Sequence, residues 1–497
     1  MLSLKTMQAT LDSSTIRLKE IGRVIFVKKI IAGVRGLSSF MNGQLVTFAD
    51  GPKGMIIGFV EDEVMVLILG DEAKVRIGQE VMSVQKEFKI PVGPEFTGRI
   101  VNALAEPVDG RDLVSGGMEH YPVFREAPET MDRSSADDCL QTGTKMLDAL
   151  VPIAKGQRQM IIGDRMTGKT TVAVDAIINQ KGKNVVCIYC CIGKSQSSLV
   201  KVVGLLKLSG ALDYSVVVAA PASATVAQQY LAPYSAAALG EYFLHKGQDV
   251  LVVFDDMTKH SWAYRQISLL LERPPGREAY PGDIYYIHSQ LMERAGKLNQ
   301  LLRGGSMTFF PIVDTLQQDV TGFIPSNLIS MTDGQVYLNS SIFAEGFKPA
   351  VDFAMSVSII GSKVQNPILK KLSSTIRLEY AQYKELLRLT KLKSSLSPEV
   401  MYKLRRGEAI SAVFTQEKNA PVSVVELIVL LYALDKKILD ELGLAKINKF
   451  KKGIRAYMTN HAQDLIAELG TAKELTPAMT ERLDKLFAQY IQQIEQE

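Results

Sequence analysis

Hydrophobic and polar positions fall into three regimes along the chain. Over residues 21–83, short β-rich apolar runs at 22–27, 43–48 and 64–69 are separated by glycines and turn residues. Regularly spaced short strands of this kind predict a small barrel or sandwich. Over residues 91–365, apolar strand-like runs alternate with longer helical stretches, which predicts a mainly parallel sheet covered by helices. Beyond Pro367 the strand signal fades, and residues 368–392, 398–414, 422–443 and 477–497 carry helical spacing. The predicted organisation is a short N-terminal segment (1–20), a β domain (21–88), an α/β domain (89–366) and a C-terminal helical domain (367–497). No internal repeat or low-complexity tract interrupts it.

Composition adds bounds to that picture. A length of 497 residues fits about three domains. With 46% hydrophobic and 22% charged residues, the chain has the balance of a soluble globular protein. A net charge of +4 is small for this length and argues against a protein that coats nucleic acid. Of the four cysteines, Cys187, Cys190 and Cys191 lie in one apolar run. With no histidine close by and no second cysteine pair, they read as core thiols of a buried strand rather than metal ligands. The polar stretch 1–20 lacks the apolar core of an export signal. The most apolar later stretch, 422–434, is interrupted by Glu426 and is too short to span a bilayer, so any membrane role is expected to run through partners.

The strongest chemical signal is Gly163-Asp164-Arg165-Met166-Thr167-Gly168-Lys169-Thr170, a complete G-x-x-x-x-G-K-[ST] loop. The apolar run 159–162 leads into it and a helix-like pattern follows. In that context the glycines let successive backbone N–H groups curl around phosphate oxygens. Lys169 supplies a cation to the β and γ phosphates, and the Thr170 hydroxyl is placed to meet Mg²⁺. The expected ligand is ATP or ADP with Mg²⁺. A second apolar run, 250–254, ends in Asp255-Asp256. Asp255 is read as the residue that holds Mg²⁺, and Asp256 as the cap of a helix beginning near Thr258. Hydrolysis also needs a group that orients the attacking water, commonly a carboxylate. It is expected at the end of the strand after the loop helix, and Lys194 stands there. A protonated lysine cannot act as a base, so the loop is read as a site of binding without turnover.

Several segments together resemble the α subunit of F1-type ATP synthases. They are the loop itself; Gln229-Tyr230-Leu231-Ala232-Pro233-Tyr234; residues 263–271; the run Arg273-Pro274-Pro275-Gly276-Arg277-Glu278-Ala279-Tyr280-Pro281-Gly282-Asp283; and residues 329–335. The resemblance implies an N-terminal β-barrel, a central RecA-like P-loop domain and a C-terminal helical bundle. It implies an α3β3 ring of alternating α-type and catalytic β-type subunits around a γ-type rotor shaft. It also implies a δ-type peripheral stalk and a membrane sector that couples an ion (proton) gradient to ATP synthesis. On this reading the chain is a peripheral protein on the cytoplasmic face of the membrane, held there by the assembled complex, and binds no nucleic acid. The adenine end of the site is implied at Lys348, Pro349 and Gln416, with Lys418 replacing a second glutamine.

Three segments depart from the family pattern. In residues 356–365, which begin at Ser356, the family has an arginine that reaches the neighbouring β site; here the position is Ile359. A finger of that kind is worth on the order of 10³–10⁵ in rate. Lys363 is the nearby cation, and a point charge does not reproduce a planar guanidinium; it reads as a solvated surface residue. Ser356 is the remaining residue of that segment assigned to the catalytic interface. Residues 393–397 and the short N-terminal segment also differ from the family's rotor-facing and stalk-docking segments. Two alternatives stand beside the α-type reading: a structural paralogue in an assembly with impaired synthesis, and an independent hexameric motor ATPase.

Overall fold

The computed structural model describes residues 20–37, 41–49, 51–85, 87–112, 118–390 and 397–496. Residues 1–19 of the N-terminal segment and positions 393–396 of the rotor-facing stretch lie outside the described residues.

The first domain is a closed six-stranded barrel. Its strands are β1 (Ile21–Lys28), β2 (Ile31–Arg35), β3 (Leu45–Phe48), β4 (Lys53–Val60), β5 (Glu63–Ile68) and β6 (Glu80–Gln85), joined in the order β1-β2-β5-β4-β3-β6. Alternation fills the interior with Val24, Val34, Val46, Phe48, Ile56, Val66 and Val81, while Ile31, Leu45, Met55 and Leu67 pack outward against the next domain. The sequence pattern located β1, β3 and β5. It did not separate β2, β4 and β6, although closure requires all of them.

The central domain is built on a nine-stranded sheet. In chain order its main strands are β7 (Ile100–Val101), β8 (Gln159–Gly163), β9 (Val185–Ile192), β10 (Ser215–Ala220), β11 (Asp249–Asp255), β12 (Ser306–Asp314), β13 (Gly334–Leu338) and β14 (Val357–Ser358). Their spatial order is β14-β13-β8-β12-β11-β9-β10-β7, and all main pairings are parallel except β13 with β14. Helices cover both faces, so the strands are apolar throughout. Ile161, Cys187, Tyr189, Cys191, Leu251, Val253, Phe310 and Ile312 face one core. Met160, Ile162, Ile188, Cys190, Val250, Val252, Phe254 and Phe309 face the other. The three cysteines of β9 are thus fully buried wall residues of the sheet.

Helices relevant to the site are α1 (Lys169–Ile178), α2 (Gln196–Leu208), α3 (Val226–His245) and α4 (Met257–Leu270). The C-terminal domain comprises α5 (Pro367–Thr390), α6 (Pro398–Phe414), α7 (Val424–Asp435), α8 (Leu444–His461), α9 (Gln463–Thr471) and α10 (Pro477–Gln496). Its core, including Ile376, Tyr380, Phe414, Leu430 and Phe487, is continuous with one face of the central sheet. The expected helix over 422–443 is shorter than read. It ends at Asp435, because Lys437 takes a left-handed conformation (φ 59°) and the Ile438 N–H folds back onto the Ala433 carbonyl. No helix among the described residues is long and apolar enough to cross a membrane.

Candidate nucleotide-binding site

The loop 163–170 joins β8 to α1, as its strand–loop–helix context predicts. Two of its glycines are sterically required. A Cβ on Gly163 would lie 2.3 Å from the Leu338 carbonyl oxygen of the neighbouring strand, and Gly168 has φ 101° as it enters the helix. Met166, also at positive φ (65°), projects into solvent. The Thr167 hydroxyl donates to the Asp164 carbonyl (2.8 Å), closing the turn. The Asp164 carboxylate accepts from the Thr315 hydroxyl (2.7 Å) and the Gln318 N–H (2.9 Å), which ties the loop to the chain after β12.

Lys169 is buried at the first turn of α1. Its ammonium donates to the Gly163 and Asp164 carbonyls (2.8 and 2.5 Å) and lies 2.9 Å from Asp314 Oδ1 at the tip of β12. Arg165 is exposed, 3.4 Å from the other Asp314 oxygen, with its guanidinium over the Trp262 ring. Both cations of the loop are therefore gathered at Asp314.

Asp255 ends β11 fully buried. Its Oδ2 accepts from the Thr170 hydroxyl and the Tyr189 phenol, each at 2.8 Å. The two residues expected to hold a metal are thus brought together. Sequence reading missed what meets them. The Lys194 ammonium stands 2.5 Å from Asp255 Oδ1 and 3.1 Å from Thr170 Oγ1. The contact to Oδ1 is an ion pair without hydrogen-bonding angles, so that buried oxygen has no hydrogen-bond donor. Burial opposes the charge on Lys194, but the carboxylates of Asp255, Asp256 and Asp314 outweigh it and hold its pKa above the ordinary lysine value. The register offered a signal: β9 lies beside β11 with Cys191 opposite Asp255, which sets residue 194 just past the acidic tip.

Asp256 caps α4, its carboxylate accepting the Lys259 N–H at 2.8 Å, as expected from the sequence one residue ahead of where the helix was read to begin. Burial, and then the Asp314 charge, raise the Asp256 pKa.

Lys348, Pro349 and Gln416 come together at the far end of α1. The Gln416 N–H donates to the Lys348 carbonyl (2.7 Å), and the Gln416 amide bonds the Lys145 N–H and the Gly143 and Ala420 carbonyls. The Gln416 side chain therefore fastens this loop, and Lys348 lies over the Phe343 ring. In the other segment, Ser356 is buried. Its hydroxyl donates to the Asp352 carbonyl (2.6 Å) and accepts the Tyr337 N–H (3.0 Å), so both functions are used within the chain. Ile359 is 66% exposed, and Lys363 is exposed in a short helical turn.

A phosphate loop between strand and helix, an acid-tipped strand two places away in the sheet, and flanking barrel and bundle define a three-domain P-loop nucleotide-binding protein. Three family models match it in series. They are the beta-barrel domain of the ATP synthase alpha/beta family (residues 18–84), that family's nucleotide-binding domain (143–358) and the C-terminal domain of the ATP synthase alpha/beta chain (365–490). The chain belongs to the ATP synthase alpha/beta family. It is 44% identical to the ATP synthase subunit alpha of Clostridium acetobutylicum, over 94% of this chain and 93% of that protein. It is also 44% identical to the ATP synthase subunit alpha of Clostridium botulinum, over 93% and 92%.

Proposed function

We infer that the chain is the α-type subunit of a rotary F1-type ATP synthase and that its own nucleotide site is non-catalytic and regulatory. Full-length similarity to α subunits supports the first part. The observation that carries the second is Lys194, whose ammonium takes up the end of β9 where hydrolysis needs a carboxylate. The nearby carboxylates are committed elsewhere: Asp255 to Thr170, Tyr189 and Lys194, Asp256 to the cap of α4, and Asp314 to Lys169 and Arg165.

The partners that follow are β-type catalytic subunits alternating with this chain, a γ-type shaft, a δ-type peripheral stalk and a membrane sector driven by protons. Association with the cytoplasmic face of the membrane is through that complex. Lys169, Arg165 and the loop N–H groups hold the phosphates, and the loop at Lys348, Pro349 and Gln416 bounds the adenine end. Thr170 and Asp255 are an oxygen pair suited in chemistry to Mg²⁺, but the Lys194 ammonium already stands against both. The pair as arranged does not fit the metal.

Reconstitution with the cognate β- and γ-type chains tests this reading. Lys169→Ala in this chain is expected to leave initial ATP turnover standing, whereas replacing the β chain's phosphate-loop lysine abolishes it. Loss of initial turnover with the first and not the second would overturn the assignment. A second reading, a structural paralogue in an assembly with impaired synthesis, is favoured by the exposed, uncharged Ile359. Ile359→Arg in the same assembly distinguishes it.

A further inference from the structure

The nucleotide site contains a cation of its own. Thr170 Oγ1 and Asp255 are the oxygens that would hold a divalent ion, and the Lys194 ammonium lies 3.1 Å from the first and 2.5 Å from Asp255 Oδ1. Mg²⁺ requires oxygens at about 2.0–2.1 Å in a near-octahedral array and keeps several waters. A metal seated on these same two atoms would need the volume the ammonium fills, and would meet a like charge there.

Lys194 is held in this position by its backbone. Cys191 pairs with Asp255 across the parallel strands, and the Gly193 N–H donates to the Ala220 carbonyl (2.8 Å). The Lys194 carbonyl accepts the Ala222 N–H (2.7 Å), and Ser195 caps α2 immediately afterwards. The side chain leaves this pinned turn directly over the tip of β11. An ammonium has three donors; one is directed at Thr170 and the charge is paired with Asp255, which leaves donors for a phosphate oxygen. Lys169 and Arg165, gathered at Asp314, add two further positive charges to the same pole of the site.

We propose that the Lys194 ammonium takes the place of the divalent cation at this site, so that the chain binds ATP or ADP without Mg²⁺. This rests on the nucleotide-binding reading above. It makes Lys194 a specificity-determining residue, selecting the metal-free nucleotide over its magnesium complex.

The test is equilibrium binding of ATP to the purified full chain in excess EDTA and in millimolar Mg²⁺, for the native chain and Lys194→Gln. The native chain is expected to bind total ATP about tenfold more tightly in excess EDTA than in millimolar Mg²⁺, which turns most of the nucleotide into the magnesium complex. Lys194→Gln, which frees the oxygen pair, is expected to lose about tenfold or more in EDTA and recover it in Mg²⁺. Electron paramagnetic resonance with Mn²⁺ and ATP gives a readout that needs no variant: the native complex is expected to show no protein-bound Mn²⁺. Native binding that collapses in EDTA and returns with Mg²⁺, or a protein-bound Mn²⁺ signal, would overturn the proposal while leaving the nucleotide site intact. Absence of ATP binding in both conditions would overturn the nucleotide reading itself.

Discussion

At the scale of single residues, the site depends on a few charges held in fixed places. Lys169 is buried among acceptors at the loop and is the group proposed to meet phosphate. Charge-assisted bonds of this kind contribute about 1.5–3 kcal/mol each. Lys169→Ala is therefore expected to weaken ATP binding by roughly 10- to 100-fold by calorimetry. Asp175, on α1, gives a pH signature. Burial pushes its carboxyl up to about 6 from an ordinary value of 3.8, and the Asn419 N–H, which its carboxylate accepts at 2.9 Å, only partly offsets this. A carboxyl raised on folding stabilises below its unfolded pKa, and that contribution is lost as pH rises through about 6. Asp175→Asn, which keeps the acceptor and cannot ionise, should match the native chain near pH 3, below the ordinary value of 3.8. By pH 8 it should gain up to about 3 kcal/mol over it, read as a widening gap in thermal midpoint. The loop residues and Asp255 were legible in the sequence because their spacing is a local pattern. The meeting of Lys194 with Asp255 was not, because it depends on the register between two strands far apart in the chain.

At the scale of elements, the sequence announced four of the six C-terminal helices but not α8, α9 or the turn that ends α7. The spacing of Ile447, Phe450, Ile454 and Met458 marks the buried face of α8, yet the lysine-rich stretch around it hid the pattern. The stop of α7 at Asp435 carries no glycine or proline, so only the left-handed Lys437 reveals it. One side chain fastens this region. Arg406 of α6 donates to Glu379 of α5 (2.7 and 2.9 Å), to Asp440 after α7 (2.9 Å) and to the Leu434 carbonyl (2.6 Å). Arg406 and Asp440 are both buried there. Removing one partner of a buried pair strands the other's charge, at a cost of about 3–5 kcal/mol. Arg406→Met is expected to lower the unfolding midpoint of the helical domain by chemical denaturation, with little effect on ATP affinity. A midpoint unchanged within error would mean the pair contributes nothing.

At the scale of the whole molecule, barrel, sheet and bundle follow from three successive hydrophobic patterns, and one apolar core runs from the sheet into the bundle. That order was readable because each domain has its own period. What the exposed segment around Ile359 does was not, since the role proposed for it needs a neighbouring subunit. If Ile359 limits a reconstituted assembly with β- and γ-type chains, Ile359→Arg should raise turnover by at least tenfold. The full worth of an arginine finger is on the order of 10³–10⁵. Rapid turnover by the native assembly, unchanged by the arginine, would remove that reading. The function proposed for this chain is to hold nucleotide without hydrolysing it. The direct measurement is ATP binding and phosphate release in one sample of the purified chain. The expected result is saturable binding, one nucleotide per chain, with phosphate release at the spontaneous rate. Sustained release that disappears in Lys169→Ala would contradict it.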